Sequence, residues 1–436
     1  MGMQKSGVSA TALILKHGGS VTVYDEQQAD FVIKNLKNAE LLGAKITYDP
    51  MSEIENSDVL VLSPGVPVDN PVAVKARELK KRITGEFELA SGFTTDPVIA
   101  ITGTNGKTTT CSLVSHVLSY AGIKNQLVGN IGIPFSDKCE KGVQEGFFVA
   151  EVSSFQLETV ARFTPYISCI LNVTPDHLTR HYNMDNYVFL KSKLLLNLKE
   201  SEFAVLNYDD EITRSLSEKT RGKTVWFSLK EECDGGYLSG GDLFFKGEKI
   251  MNASEIPVGG AHNLENTLAA ICILKLAGLE NALISGGVKT FKGVKHRLQE
   301  VKTVGGVTFI NDSKSTNPDS LVKAVEAMKK PTVLIVGGYD KGLSYKICMA
   351  AIKESPFIKK VVATGQNGNA MLIEAVNSGV TDVSSVRDFT LAVKVAYSLA
   401  GNGWNVLLSP ATSSFDEFSG YEERGDKFIE IVNTLA

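Results

Sequence analysis

Apolar residues along this chain follow two alternating rhythms. One is the short, nearly continuous apolar run: VTVYD (21–25), AKITYD (44–49), DVLVLSPG (58–65), DPVIAITGT (96–104), FFVAEVSS (147–154) and ISCILNVT (167–174). VTFIND (307–312), TVLIVGG (332–338), KVVATG (360–365) and WNVLLSP (404–410) continue the series. Runs of this kind predict strands covered on both faces. The other rhythm, with apolar residues three or four apart, lies between them, as at Val114, Val117, Leu118 and Ala121, and predicts helices. Strands alternating with helices imply parallel sheets joined by right-handed crossovers. Residues 224–258, rich in Gly and short strands, predict an antiparallel insertion. The expectation is an α/β protein of three domains in series, 1–83, 84–293 and 294–436.

Length agrees with that division, since 436 residues exceed what a single core organises. Charge narrows the partners. Lys+Arg 45 against Asp+Glu 49 gives a net charge of −4, without the basic footprint that nucleic acid requires. No apolar run approaches the roughly 20 residues that span a bilayer. The first residues lack a charged segment leading into an apolar one, so a cytoplasmic protein with no membrane partner is expected. Cys111, Cys139, Cys169, Cys233, Cys272 and Cys348 are scattered, with no C-x-x-C pair. They read as buried thiols in a reducing compartment, not as disulfides or a zinc site.

The first chemistry lies at ITGTNGKT (101–108). It resembles the phosphate-binding loop G-x-x-x-x-G-K-[ST], except that Ile101 stands where the first glycine belongs. The context is right, because PVIAIT reads as a strand and a helical pattern follows. Backbone N–H groups of 103–108 at a helix start would cradle phosphate oxygens. Lys107 would neutralise the β- and γ-phosphates, and the Thr108 hydroxyl could reach Mg2+.

Other candidates fall where open α/β sheets bind ligands, at the C-terminal ends of strands. They are Glu151 in EVSSFQLE, Asp176 and His177 in NVTPDHLTRH, and Lys191 and Lys193 in YVFLKSK. Asn263 and Asn266 open a helix in AHNLENTLAA. Taken singly, each has a plainer reading: a surface histidine, or an asparagine helix cap. At the start of the chain, GMQKSG (2–7) resembles the turn of a nucleotide-binding β-α unit, with SATALILKHG (9–18) as its helix and VTVYD ending in Asp25. No strand precedes that turn.

Together these segments resemble the Mur ligases of peptidoglycan precursor synthesis and their folate-polyglutamate relatives, whose shortened loop has the form GTxGKT, here GTNGKT (103–108). GVKHRLQ (293–299), NDSKSTNP (311–318), LIVGGYDKG (334–342) and LLSPATSSFDEFSGYEERGDKF (407–428) are similar to the D-glutamate-adding branch. So are SPGVP (63–67) and VGNIGIP (128–134). The resemblance implies a Rossmann-like N-terminal domain, a P-loop ATPase-type central domain and a Rossmann-like C-terminal domain.

It also implies an ATP-dependent ligase that joins D-glutamate to UDP-N-acetylmuramoyl-L-alanine through an acyl phosphate, acting as a monomer. ATP would be held by Gly103, Thr104, Asn105, Gly106, Lys107, Thr108 and Thr109, with Asn263, Asn266, Arg297 and Asp312. Two Mg2+ sites are implied, one on Thr108 and Glu151, the other on His177 and a carbamylated lysine. Lys191, four positions after Tyr187, matches that lysine, and Lys193 is the alternative. Lys5, Ser6, Asp25, Gly65, Asn130, Ser153 and His177 would contact the UDP substrate. Thr316, Lys341, Ser414, Phe415 and Tyr421 would contact D-glutamate, and Lys314 would act in catalysis and domain closure.

One departure stands out. The family has a first strand ahead of the GMQKSG-like turn, so the native chain is expected to start upstream of Met1. The rival readings are another ligase of the family, a P-loop NTPase of motion or signalling, and a non-catalytic UDP-sugar binder. NDSKSTNP argues against the first, the missing loop glycine against the second, and the intact Lys107, Glu151, His177 and Arg297 against the third.

Overall fold

Nineteen strands carry the architecture of the computed structural model, which describes residues 1–27, 30–258, 260–340 and 344–435. The chain divides into two units, Met1–Lys292 and Gly293–Ala436.

The first unit begins with two small parallel pairs. β1 (Thr22–Val23) pairs with β2 (Lys45–Ile46), and β3 (Val59–Leu62) with β4 (Arg82–Gly85). The first two residues of the chain link them: the Met1 ammonium donates to the Val61 carbonyl at 2.7 Å, and Gly2 N–H to the Tyr24 carbonyl at 3.0 Å. Beside that bridge is a cavity of about 520 Å³, lined among others by Ile14, Val21, Val23, Leu60 and Phe93. With little to pair against, VTVYD and AKITYD each keep two residues of strand. The helix after the first turn covers Lys5–Lys16 and so starts earlier than the sequence suggests. The reversal falls at Gly2 (φ +84°), and a Cβ on Gly7 would lie 1.8 Å from the Gly2 carbonyl oxygen.

The centre of this unit is a nine-stranded sheet. Its strands are β5 (Val98–Thr102), β6 (Asn125–Gly129), β7 (Phe147–Glu151), β8 (Ile167–Ile170), β9 (Phe203–Asn207), β10 (Lys223–Ser228), β11 (Gly235–Ser239), β12 (Asp242–Phe245) and β13 (Glu248–Asn252). The order is β13-β12-β11-β10-β9-β8-β5-β7-β6. β5 is buried along its whole length, as expected of a central strand with both faces covered. Here the structure corrects the sequence reading. Residues 224–258 are antiparallel only in part. They extend the main sheet, with β10 parallel to both β9 and β11, and only β11-β12-β13 antiparallel.

The second unit is a six-stranded sheet of β14 (Gln299–Val304), β15 (Val307–Asn311), β16 (Thr332–Gly337), β17 (Ile358–Thr364), β18 (Val383–Ser385) and β19 (Asn405–Leu408). Its order is β14-β15-β19-β16-β17-β18, parallel except for the β14–β15 hairpin. β4, β6, β9, β14 and β18 lie outside the runs marked in the sequence. β6 and β14 are edge strands with alternating burial, and β18 has only three residues, so none shows a continuous apolar run. Among the described residues no helix is long and apolar enough to cross a membrane.

Candidate active site

The crevice forms where the chain, having laid β7 on one side of β5, crosses to lay β8 on the other. Three loops leave the C-terminal ends of these strands. The loop after β5 runs into the helix Lys107–Tyr120, and Gly106 caps that helix in the left-handed region at φ +83°. A Cβ there would lie 2.1 Å from Asn266 Oδ1, so the residue must be small as well as left-handed. Asn266, on the helix Ala261–Leu276, thus stands against Gly106, and Asn263 lies one turn earlier.

The loop is braced before any ligand arrives. Asn105 N–H donates to Asn172 Oδ1 at 2.8 Å, and Thr104 N–H to the Asn172 carbonyl at 3.0 Å. The Thr104 hydroxyl donates to the Thr174 carbonyl at 3.0 Å and lies 3.2 Å from the Tyr187 hydroxyl. Lys107 Nζ donates to the Gly103 and Thr104 carbonyls, both at 2.8 Å, which folds the cation over its own loop. Thr108 and Thr109 are buried in the first helical turn. Asn172 is the brace that sequence reasoning missed, since it reads as one more polar residue after a strand.

Glu151 ends β7, buried, with Oε1 accepting from Asn130 Nδ2 at 2.6 Å. Its Oε2 is buried without a hydrogen-bond partner. A buried carboxylate oxygen in that state calls for a cation. His177 follows β8 in the left-handed region (φ +54°), packs on Phe155 at 4.8 Å and lies 3.5 Å from Asp176. Among the described residues no three His, Cys, Asp or Glu side chains cluster to hold a metal.

Lys191 and Lys193 differ sharply. Lys191 is 1% exposed on the helix Met184–Leu196, with its ammonium 4.5 Å from the Tyr187 ring centre. Burial first, and the Lys107 charge second, push its pKa well below the usual lysine range. Lys193 Nζ instead donates to the Leu157 and Glu158 carbonyls at 2.8 and 3.0 Å.

The candidates for the UDP substrate lie on several loops. Lys5 and Ser6 open the first helix, and Asp25 accepts the Met3 N–H at 2.6 Å. Gly65 is exposed in the loop after β3. The Ser153 hydroxyl caps its own short helix in a capping box with Gln156.

In the second unit Arg297 lies between two strained residues, His296 (φ +62°) and Leu298 (φ +42°). Asp312 is buried, its oxygens accepting from Leu298 N–H at 3.1 Å and Ser409 Oγ at 2.8 Å; burial raises its pKa to about 6 against the pull of Arg297. Lys314 Nζ stands over the Tyr421 ring at 5.4 Å. Ser414 is buried, Phe415 is 65% exposed, and Thr316 is half-buried. Lys341 lies outside the described residues.

The group that binds these loops together has no local signal in the sequence. Arg424, 2% exposed, donates from Nε to Ser313 Oγ and from Nη2 to the Ser313 and Thr412 carbonyls. Its Nη1 reaches the Ser413 carbonyl at 3.2 Å.

With this geometry described, comparison with known proteins gives a consistent result. Residues 101–274 match the Mur ligase middle domain, and residues 296–412 the Mur ligase glutamate ligase domain. Solved structures agree in fold. The UDP-N-acetylmuramate-alanine ligase MurC of Thermotoga maritima superposes with a TM-score of 0.62 at 19% identity, over 99% of this chain and 97% of that one. MurF from Acinetobacter baumannii gives 0.63 at 17% identity, over 95% and 91%. The chain belongs to the Mur ligase family. Within it, the full-length likeness is to proteins named UDP-N-acetylmuramoylalanine–D-glutamate ligase. That of Thermoanaerobacter sp. (strain X514) is 40% identical over 100% of this chain and 97% of its own. That of Clostridioides difficile (strain 630) is 39% identical over 100% and 98%.

Proposed function

We propose that this chain is the ATP-dependent ligase that joins D-glutamate to UDP-N-acetylmuramoyl-L-alanine, a cytoplasmic step of peptidoglycan precursor synthesis. The observation that carries the reading is the pairing of the braced GTNGKT loop with Glu151, whose buried Oε2 lacks a partner, in a chain 40% identical along its whole length to ligases of that name.

A carboxylate does not acylate an amine unaided. The alanyl carboxylate attacks the γ-phosphorus of ATP, ADP leaves, and an acyl phosphate forms. The D-glutamate amine then attacks the acyl carbon, phosphate leaves, and the amine loses a proton. Two anions must meet in the first step, so the residues' work is charge neutralisation and alignment. Lys107 swings from its own loop carbonyls to the β- and γ-phosphates, and the backbone of 103–108 holds them at the helix start. Asn263, Asn266, Arg297 and Asp312 hold the rest of the nucleotide. Thr108 with Glu151, and His177 with Lys191, are the residues that would hold two Mg2+ ions, which supply further neutralisation of phosphate charge. Lys191 suits its part because burial lowers its pKa and so favours the neutral amine. Such an amine adds to CO2, forming an N–C bond and releasing a proton, and becomes an oxygen ligand. Lys193, engaged by two carbonyls, does not suit it.

Thr316, Lys341, Ser414, Phe415 and Tyr421 receive D-glutamate, and Lys314 acts beside them. Lys5, Ser6, Asp25 and Gly65, in a domain that ends near residue 83, receive the UDP substrate together with Asn130, Ser153 and His177 from beyond it. The test is phosphate release from ATP with UDP-N-acetylmuramoyl-L-alanine and, in parallel, D-Glu, L-Glu, L-Ala, L-Lys or meso-diaminopimelate. Release with D-Glu alone is expected. Release with another amino acid moves the chain to a different branch, and no release while ATP still binds overturns the ligase reading.

A further inference from the structure

The short segment His177–Tyr182 is held far more firmly than a ligand loop requires. Arg180 lies in a bidentate pair with Glu158, whose side chain is 5% exposed, Nε to Oε1 at 2.9 Å and Nη2 to Oε2 at 2.6 Å. The same Nη2 donates at 2.9 Å to the carbonyl of Val66, in the loop after β3. Two residues on, the exposed Tyr182 donates its hydroxyl to Asp69 of that loop. Between them His181 is buried, with Nε2 2.9 Å from Ser154 Oγ and its ring stacked on Tyr187.

Tyr182 itself is strained. At φ +69°, ψ −46°, with Asn183 N–H on the His181 carbonyl at 2.8 Å, it sits in a γ-turn that an aromatic residue seldom adopts. Strain of this kind persists where surrounding contacts over-determine it, and it marks a segment whose position matters.

Val66 directly follows Gly65 and Asp69 lies three residues further along the same loop, and His177 begins the clamped segment. We propose that Arg180 is a positioning residue which, with Tyr182, ties the 63–69 loop to His177, so that binding of the sugar nucleotide and binding of a divalent cation at the His177 edge strengthen one another. This rests on the ligase reading for the identity of the sugar nucleotide. A bidentate guanidinium fixes direction as well as distance, which lysine cannot do. The coupling is reciprocal by linkage.

Calorimetry on the full chain tests it, with UDP-N-acetylmuramoyl-L-alanine titrated in the presence and absence of saturating Mg2+. The wild type is expected to bind about fivefold or more tightly with Mg2+. Arg180→Ala should abolish that difference while leaving ADP affinity unchanged. Arg180→Lys should retain part of it, and Tyr182→Phe should reduce it about twofold. Wild-type coupling in folded Arg180→Ala overturns the proposal, as does loss of ADP binding along with it, which would make Arg180 a scaffold residue only. If Arg180→Ala does not fold, Tyr182→Phe decides, because its exposed ring cannot unfold the chain, and unchanged coupling there overturns the proposal. A wild type that fails to bind the sugar nucleotide at all refutes the ligase reading, whereas binding without coupling refutes only this inference.

Discussion

The loop edge of the nine-stranded sheet and the loop cluster of the C-terminal sheet solve the same problem in opposite ways. Around the phosphate loop, one short strand–turn–helix stretch supplies cradle and cation, and its braces are neutral: Asn172, Thr104 and the Tyr187 hydroxyl. In the C-terminal unit the loop at 312–315 is far in sequence from the 412–414 loop and the helix Tyr421–Thr434, with Ser313 and Arg424 111 positions apart. These segments are held by a buried guanidinium, Arg424, whose pKa burial lowers to about 10, and by a buried carboxylate, Asp312. Where a backbone cradle does the positioning, charges are left over for chemistry. Where loops must be gathered from a distance, the fork of Arg424 is the fastener, and losing it should cost stability before it costs chemistry, whereas the charge of Asp312 is itself a burial cost.

The contrast is sharpest at Lys107. Lys107→Ala should lower kcat about a thousandfold or more, because phosphate charge loses its fixed partner, with Tm within about a degree of wild type. Turnover by phosphate release and a thermal melt measure the two halves. A Tm drop of several degrees would erase the distinction drawn between the two edges.

Arg424→Ala should behave the opposite way. Removing it strips donors from the Ser313, Thr412 and Ser413 carbonyls, and should destabilise the C-terminal unit by about 3–5 kcal/mol. Arg424→Lys should recover little, since an ammonium cannot reproduce the fork. Urea unfolding followed by Trp404 in a Trp226→Phe background reports on this unit, and an unchanged midpoint would show that the fastener lies elsewhere.

Asp312 allows the same comparison through pH. Its native pKa is raised to about 6 by burial, from 3.8. Between those values the native chain holds a proton that the unfolded chain releases. Stability therefore falls as pH rises through this window; the penalty is complete above about pH 6 and absent below about 3.8. Relative to Asp312→Asn, the wild type should gain up to about 3 kcal/mol as pH falls from 7 toward 4. Parallel pH dependences for the two proteins would remove Asp312 as a burial cost.

This division also explains what was legible in the sequence. The GTNGKT loop is local, so its strand, turn and helix could be read in one pass, and Glu151 and His177 follow from the rule that ligands gather at strand ends. Arg424 was invisible, because a basic residue in YEERGDKF looks like part of a solvated helix face until the fold buries it. Arg180 was hidden in the same way. The strands at 22–23 and 45–46 were over-read, since apolar pattern predicts a strand but its length depends on a partner. Residues 224–258 misled for a related reason. Glycines and short strands signal hairpins, yet the parallel ladder of β10 with β9 and β11 is decided by the rest of the sheet.

The smallest expected effect separates two causes at one position. Gly106→Ala faces a left-handed backbone at φ +83° and a contact of 2.1 Å with Asn266 Oδ1. Together these should weaken ADP binding about ten- to a hundredfold, the equivalent of 1–3 kcal/mol. Asn266→Ala opens the space but leaves the dihedral penalty, so a double-mutant cycle divides the cost. If the clash dominates, the double variant should bind ADP better than the sum of the single losses predicts. If backbone conformation dominates, the losses should add, and the cradle is then set by glycine's dihedral freedom alone. Either result keeps the neutral, locally encoded character of this edge. Unchanged ADP affinity in Gly106→Ala would instead mean that the loop yields on binding, and the rigidity that distinguishes it from the Arg424 cluster would be lost.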